Sequence, residues 1–532
     1  MGERVERNWV MKWGAPLLAL ALIAAAIWFR CAWLLTEPLW LDEAYSAYAA
    51  GKSFDFLWHV VPLYETHPPF YYSLLRLWTL AFGDSLAGLR SLGIACGIAT
   101  LPMMMLAARE LAGLLRFDRA RTVGLVLATL ALAAFSTMLV EMSREVRPYP
   151  VLILVYAASL FALFRLGRRS RDGSGIGGGA CLLYLLTLAL TLWLHNLGPL
   201  YGLAIGIALL ALVIRPGLDR RDWLWLVGGH AAVAGVYLPA LRIMLDQAPT
   251  WISSTWLKFS FKGLQTKLAA LYAVPGPVQE PITLLLALLG LWALLRIRGG
   301  WRVGIALLSM AIVPAAISIT LSVWVAPVFI MRTMTPIAVP AILLFAVGAV
   351  AQRGLWRWPA IGALLYIISQ TIVVDIRARR AGAQQDWYGT VRWLEKRFQP
   401  GDMVYAYPNE GALPFDFAVR DLKLVLSSRQ IPTPVPSLGV GGWNPTGSRG
   451  VVSLPRDRLR AIAQSPEARA VPTIWLLRLG PWAYDKGDVF LEELSRDRTR
   501  VDQWRSGPID IIGLRKISPR DPAARAVAAA TR

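Results

Sequence analysis

Long apolar runs recur through the first 375 residues of the chain, and they constrain its fold more than any other feature. A helix needs about 17–25 apolar residues to cross the ~30 Å hydrocarbon core of a bilayer. Inside that core no water satisfies the backbone, so a spanning segment must pair its own N–H and C=O groups. Runs of this length lie at 14–35, 86–108, 122–140, 149–166, 178–195, 197–214, 223–244, 281–297, 302–324, 336–352 and 357–375, about eleven in all. Composition agrees, with 56% hydrophobic and 17% charged residues, against about 45–50% and about 25% in soluble domains. The start MGERVERNWVMKWG is basic, but the run behind it is long and has no small-residue cleavage site, so it is expected to remain as a span.

The connections alternate in character. Arg109, Arg116, Arg119 and Arg121 form one basic cluster, and Arg165, Arg168, Arg169 and Arg171 the next. Arg215, Arg220 and Arg221 follow, then Arg296, Arg298 and Arg302, then Arg353 and Arg357. The positive-inside rule places these loops and the N-terminus in the cytoplasm and the C-terminus outside. Segments 36–85, 141–148, 245–280 and 325–335 then face outward, while 67–83 reads either as one more short span or as a surface helix. The net charge of +21 is thereby accounted for as topology signal, and no nucleic-acid partner is expected. The inner loops are short, no phosphate-binding Gly motif stands between a strand and a helix, and GSGIGGG at 173–179 reads as a linker. Cys31, Cys96 and Cys181 lie in apolar runs without metal-ligand spacing. Chemistry is expected on the outer face.

From about residue 376 to 520 the composition is that of a soluble α/β domain. DWYGTVRWLEKRF, DRLRAIAQS and VFLEELSRD read as helices, whereas DMVYAY, LKLVLSS, TIWLLRL and IDIIGLRKI read as strands. Residues 521–532 read as a disordered tail, and no internal repeat is visible.

Five outer-face stretches carry candidate chemistry. Asp42 and Glu43 follow the first span, where an acid is by default a functional candidate; the competing reading has Asp42 capping a helix that starts at Glu43. In YETHPPFYYSLLRLW, His67 precedes two prolines and could donate to a phosphate, although a turn residue is the plainer reading. EMSREVRPYP packs Glu141, Arg144, Glu145, Arg147 and Tyr149 into a short connection, with arginines on the face where the topology rule disfavours them. Arginine matches phosphate oxygens two at a time. Arg332 sits alone between apolar stretches and calls for an anionic partner, while His195 and Asn196 end a span, where helix capping competes. Finally, Trp251, Trp256, Lys258, Lys262 and Lys267 make an aromatic-basic stretch suited to lipid headgroups or to a lid.

Together LWLDEAYS, HPPFYYSLLRLWTLAFGDSLAGLRSLG, SREVRPYPVLIL and APVFIMRTMTP resemble the GT-C superfamily of membrane glycosyltransferases. Within it they resemble the glycosyltransferase family 39-like group, relatives of the protein O-mannosyltransferases and of the lipid A aminoarabinose transferase. The resemblance covers about residues 10–375 and implies a GT-C transmembrane catalytic domain over 1–375 with a periplasmic first loop at 36–85. Asp42 then matches the first-loop acid taken as catalytic base, with Glu43 beside it. Glu145, Arg147 and Tyr149 match an E-x-R-x-Y pattern, and Arg332 matches the arginine of a late R-Y motif. Thr333 stands where that motif has tyrosine.

What the resemblance implies is an inverting transfer from a polyprenyl-phosphate sugar to a lipid, glycan or protein acceptor at the outer face of a bacterial inner membrane. Asp42, Glu43 and Glu145 are the expected catalytic acids; Arg147, Arg332, His67, Tyr149 and His195 are expected around the donor phosphate, and Trp256, Lys258 and Lys262 at lipid or acceptor. Arginines would stabilise the leaving phosphate and a carboxylate would take the acceptor proton. No nucleotide pyrophosphate needs neutralising, so no cofactor is required, although two hard oxygen ligands at Asp42 and Glu43 could hold a divalent ion. The rival readings are a lipid-linked oligosaccharide transporter, against which the lack of repeated halves counts, and a polysaccharide ligase, expected to carry its charges in one late outer loop.

Overall fold

The computed structural model describes residues 2–254, 257–380, 382–438, 447–448, 454–485 and 487–517. Helices come first: α1 (Gly2–Cys31), α2 (Leu41–Ala50), α3 (Phe70–Phe82), α4 (Leu86–Leu114), α5 (Arg119–Phe135), α6 (Thr137–Met142) and α7 (Tyr149–Arg171). Then follow α8 (Gly179–Leu194), α9 (Gly198–Leu212), α10 (Arg220–Ser254), α11 (Leu264–Tyr272), α12 (Gln279–Arg296), α13 (Gly300–Trp324), α14 (Ala338–Val350) and α15 (Arg357–Arg380). The rest is mixed: α16 (Trp387–Glu395), β1 (Met403–Tyr407), α17 (Ala412–Asp421), β2 (Ser428–Gln430), β3 (Ser437–Leu438) and β4 (Gly447–Ser448). It ends with α18 (Arg456–Ala463), α19 (Pro466–Ala470), β5 (Thr473–Leu479), α20 (Pro481–Tyr484), α21 (Val489–Leu494), β6 (Arg498–Ser506) and β7 (Ile509–Lys516). The chain divides into two compact units. One comprises Met1–Leu34, Arg90–Leu245 and Leu257–Arg380; the other comprises Leu35–Leu89, Asp246–Trp256 and Ala381–Arg532.

The first unit is a polytopic helical assembly. Among the described residues eight helical segments are long and apolar enough to cross a membrane: Trp13–Cys31, Leu86–Leu114, Tyr149–Arg171, Arg220–Pro249, Gln279–Arg296, Gly300–Trp324, Met331–Val350 and Gly354–Arg380. The three other expected spans are also helical, but α5, α8 and α9 have 17, 16 and 15 residues. At 1.5 Å per residue such helices measure roughly 22–26 Å, short of a ~30 Å core. In the other unit α3 has 13 residues, too few to cross, and is not among the eight.

Arginines tie the helix ends together. The last carbonyls of a helix have no partner within it and carry its negative dipole end, so cations suit them. Arg30, 1% exposed, reaches the Ala133 and Ala134 carbonyls at the end of α5. Arg379 bonds the Phe29 and Ala32 carbonyls at the end of α1 while paired with Asp375 at 2.8 Å. Arg144 donates to the Arg30 and Ala32 carbonyls. The C-terminal ends of α1, α5 and α15 therefore meet. Elsewhere Arg171 on α7 reaches the Gly113 and Leu114 carbonyls ending α4, and Arg302 near the start of α13 reaches the Ala211 and Ile214 carbonyls ending α9. The expected linker at 173–179 is packed: Ile176 is buried and its N–H donates to Asp222 at 2.8 Å.

The second unit holds a five-stranded sheet in the order β2-β1-β5-β7-β6. β2 and β5 flank β1 in parallel, and β7 runs antiparallel to both β5 and β6. Two strand readings differ from expectation. LKLVL is not a strand, because Lys423 adopts φ 56° and Leu424 N–H still bonds the Val419 carbonyl, closing the end of α17. Only Ser428–Gln430 pairs with β1. β6 has no apolar alternation because it is an edge strand, bulged between Arg500 and Asp502 and rich in charge, as exposed edges usually are.

Asp416 on α17 gives a test of this packing. Burial pushes its carboxyl above the usual range, partly offset by the Ser428 hydroxyl at 2.6 Å. A carboxyl raised by folding costs stability in full above its folded pKa, and the cost declines from there until it is gone below the unfolded pKa. Asp416→Asn, which keeps an accepting oxygen for Ser428, is expected to raise the melting temperature at pH 7.5, by an increment that shrinks as the pH is lowered towards the ordinary carboxyl value.

Candidate functional site

In the second unit the acids sit on α2, a ten-residue helix. The helix starts at Leu41 and is capped at Trp40, so Asp42 is inside its first turn and is not the cap. Glu43 reaches back to accept the Trp40 N–H at 3.3 Å, filling one of the helix's unpaired donors. Both acids are buried, Asp42 at 9% and Glu43 at 1% exposure. Carboxylates so placed favour the positive end of the helix. On the same helix Tyr45 is the centre of an aromatic cluster: its hydroxyl donates to Tyr64 at 2.9 Å, and its ring meets Tyr64 and Tyr72 edge-on.

The Tyr64 segment continues into a pair that sequence reasoning missed. Glu65 Oε1 accepts from the Thr66 N–H, the His67 N–H and His67 Nδ1, the last at 2.9 Å. This holds the imidazole with Nδ1 as donor. The available signal was spacing, since Glu65 precedes His67 by two in YETHPP, the reach of a turn-type contact.

In the first unit Arg332, Arg147 and His195 gather on Tyr149, the first residue of α7. Its hydroxyl accepts from Arg332 Nε at 3.3 Å. The Arg147 guanidinium lies 5.8 Å from the ring centroid and the His195 ring 5.9 Å from it. Arg147, Tyr149 and His195 are all buried. His195 ends α8, and its Nδ1 accepts the Leu197 N–H at 3.0 Å, so helix-end capping and the Tyr149 contact coexist in one ring. The Thr333 carbonyl, next to Arg332, accepts from the Tyr201 hydroxyl, which supplies an aromatic contact beside the position where the expected tyrosine is missing. Glu145 is half-buried in the turn before Arg147. Its neighbour Arg144 is explained by helix capping, which removes one of the two arginines that the topology rule left unexplained.

Lys258 and Lys262 are exposed, and the Phe259 ring lies 6.5 Å from Phe329, three residues ahead of Arg332. Trp256 and the tail at 521–532 lie outside the described residues. Among the described residues no group of three or more His, Cys, Asp or Glu side chains is placed to hold a metal. Of the two acids considered for a divalent ion, Glu43 gives one oxygen to the Trp40 N–H.

No protein-family model and no curated protein matches the chain. Solved structures do. The apo crystal structure of ArnT from Cupriavidus metallidurans superposes with TM-score 0.56 at 12% identity, covering 96% of this chain and 98% of that one. The same protein bound to undecaprenyl phosphate gives TM-score 0.56 at 14% identity over 95% and 98%. Arabinofuranosyltransferase AftD from Mycobacteria covers 96% of this chain and 40% of its own at TM-score 0.47 and 14% identity. At such identities the likeness to ArnT establishes a shared fold alone, a helical membrane region with an appended mixed-sheet domain.

Proposed function

We propose that the chain is an inverting glycosyltransferase of the family 39-like group, moving a sugar from a polyprenyl-phosphate donor to an acceptor at the outer face of the membrane. The carrying observation is the ArnT fold over nearly the whole chain, one ArnT structure holding undecaprenyl phosphate, joined to the two arginines that this chain gathers on Tyr149. Asp42 takes the proton of the acceptor hydroxyl as its oxygen attacks the anomeric carbon. The bond from that carbon to the phosphate oxygen breaks, and polyprenyl phosphate leaves with the electron pair. Arg147 and Arg332 stabilise the leaving phosphate, with Tyr149 holding Arg332 in place, and His67 and His195 assisting. Glu43 secures the helix that carries Asp42, and Glu145 orders the turn that carries Arg147. Lys258 and Lys262 meet lipid headgroups.

The eleven-span topology, N-terminus inside and C-terminus outside, belongs to this reading. It is supported by the shared ends of α1, α5 and α15, and by α9. Just before that helix His195 lies beside Tyr149 at one end of α7, and just after it the Val213 carbonyl accepts from Ser170 at the other end of α7.

Undecaprenyl phosphate binding to the purified full-length protein tests the arginine half. Truncating one member of a buried charged pair costs about 2–5 kcal/mol, so Arg332→Ala should weaken binding by about 30-fold or more. Binding unchanged in both Arg332→Ala and Arg147→Ala would remove the phosphate from this site.

A further inference from the structure

Within the second unit, α2 is fastened to the C-terminal sheet domain at both ends. At its start the Leu41 N–H donates to Gln385 Oε1 at 3.3 Å, an oxygen that also receives the buried Trp387 indole N–H at 3.1 Å. Seven residues on, the Tyr48 hydroxyl donates to the Val435 carbonyl at 2.5 Å. That carbonyl belongs to a braced loop. Asn409, fully buried after β1, donates to the Thr433 carbonyl and to the Ser437 hydroxyl, and the Val435 N–H donates to Gln430 at the end of β2. The body of α2 packs on α17. Asp42 and Glu43 lie between the two fastenings.

A helix of ten residues has little stability of its own, since isolated helices below about 12–15 residues are marginal. Its place is set by what holds it. We infer that Gln385 and Tyr48 are positioning residues for Asp42, and that the C-terminal domain serves as the mount of the first-loop acids. This rests on the reading of Asp42 as base. A displacement of about 1 Å at a reacting group can cost about 10²-fold in rate, so a loosened mount would appear in kcat while donor affinity stays.

The test uses the full-length protein with Gln385→Leu and Tyr48→Phe, and Gln385→Glu as the variant that keeps an accepting oxygen. Hydrogen exchange of the peptide covering 41–50 reports the mount without reference to activity. Release of polyprenyl phosphate from a polyprenyl-phosphate sugar reports positioning. Expected are at least ~10-fold faster exchange at 41–50 in Gln385→Leu and Tyr48→Phe, protection restored in Gln385→Glu, and kcat lower by about 10–100-fold at unchanged donor KM. Unchanged exchange in both variants would overturn the mount. Faster exchange with wild-type kcat would overturn the positioning role and leave a structural contact. Absence of turnover in the wild type would defeat the transferase reading and the positioning role with it, while the exchange data would still decide the mount.

Discussion

Asp42→Asn is expected to lower sugar transfer by about 10²–10⁴-fold, the range supplied by a positioned general base, while undecaprenyl phosphate still binds. The change is nearly isosteric and leaves the helix start intact, because Glu43, not Asp42, accepts the Trp40 N–H. The acceptor hydroxyl then has no carboxylate to receive its proton as the new bond forms. Glu43→Gln, which keeps an oxygen for Trp40, should cost far less than Asp42→Asn. Steady-state turnover of both variants, with phosphate-lipid binding measured in parallel, checks this. Equal losses in the two would mean that α2 matters as a unit and that neither acid is singled out.

The largest expected effect on stability lies between α12 and α14. A Cβ added at Gly348 would sit 2.1 Å from the Leu286 carbonyl oxygen and 3.0 Å from Gly290 N, and one at Gly290 would sit 2.4 Å from the Leu344 oxygen. All three obstacles are backbone, so the helices would have to part. Close backbone approach at small residues is what holds helices together in lipid, where burial from water contributes nothing. Gly348→Val is expected to abolish a monodisperse protein, and Gly348→Ala to lower its thermal midpoint, overpacking costing about 1–3 kcal/mol or more. Gly362 on α15 meets nothing within 4 Å. Gly362→Ala should therefore leave the midpoint unchanged or raise it, alanine being better than glycine in a helix by about 1 kcal/mol. Equal midpoints for the two alanine variants would contradict the crossing.

Much of this was legible in the chain because hydrophobic length and charge placement are local signals. Helices lie at each expected span, and β1, β5 and β7 lie where apolar β-branched runs placed them. What escaped depends on partners distant in sequence. Arg30, inside the first span, gave no sign of closing α5, and Arg144 could not be separated from Arg147 until Ala32 was seen to accept from it. Glu65 escaped because its only signal was a two-residue spacing to His67, which many loops share without a contact. The convergence of Arg147, Arg332 and His195 on Tyr149 joins segments up to 183 residues apart, which spacing alone does not encode. Edge strand β6 escaped for the opposite reason, since its charges erase the alternation that marks a strand.

Whether the protein transfers sugar is decided by reconstituting it in vesicles with a panel of labelled polyprenyl-phosphate sugars and an acceptor-containing envelope extract. Release of free polyprenyl phosphate from at least one donor is expected, dependent on acceptor and lost in Asp42→Asn. Donor lipid crossing the bilayer with its sugar still attached, and no release from any donor, would contradict transfer and mark the protein as a transporter.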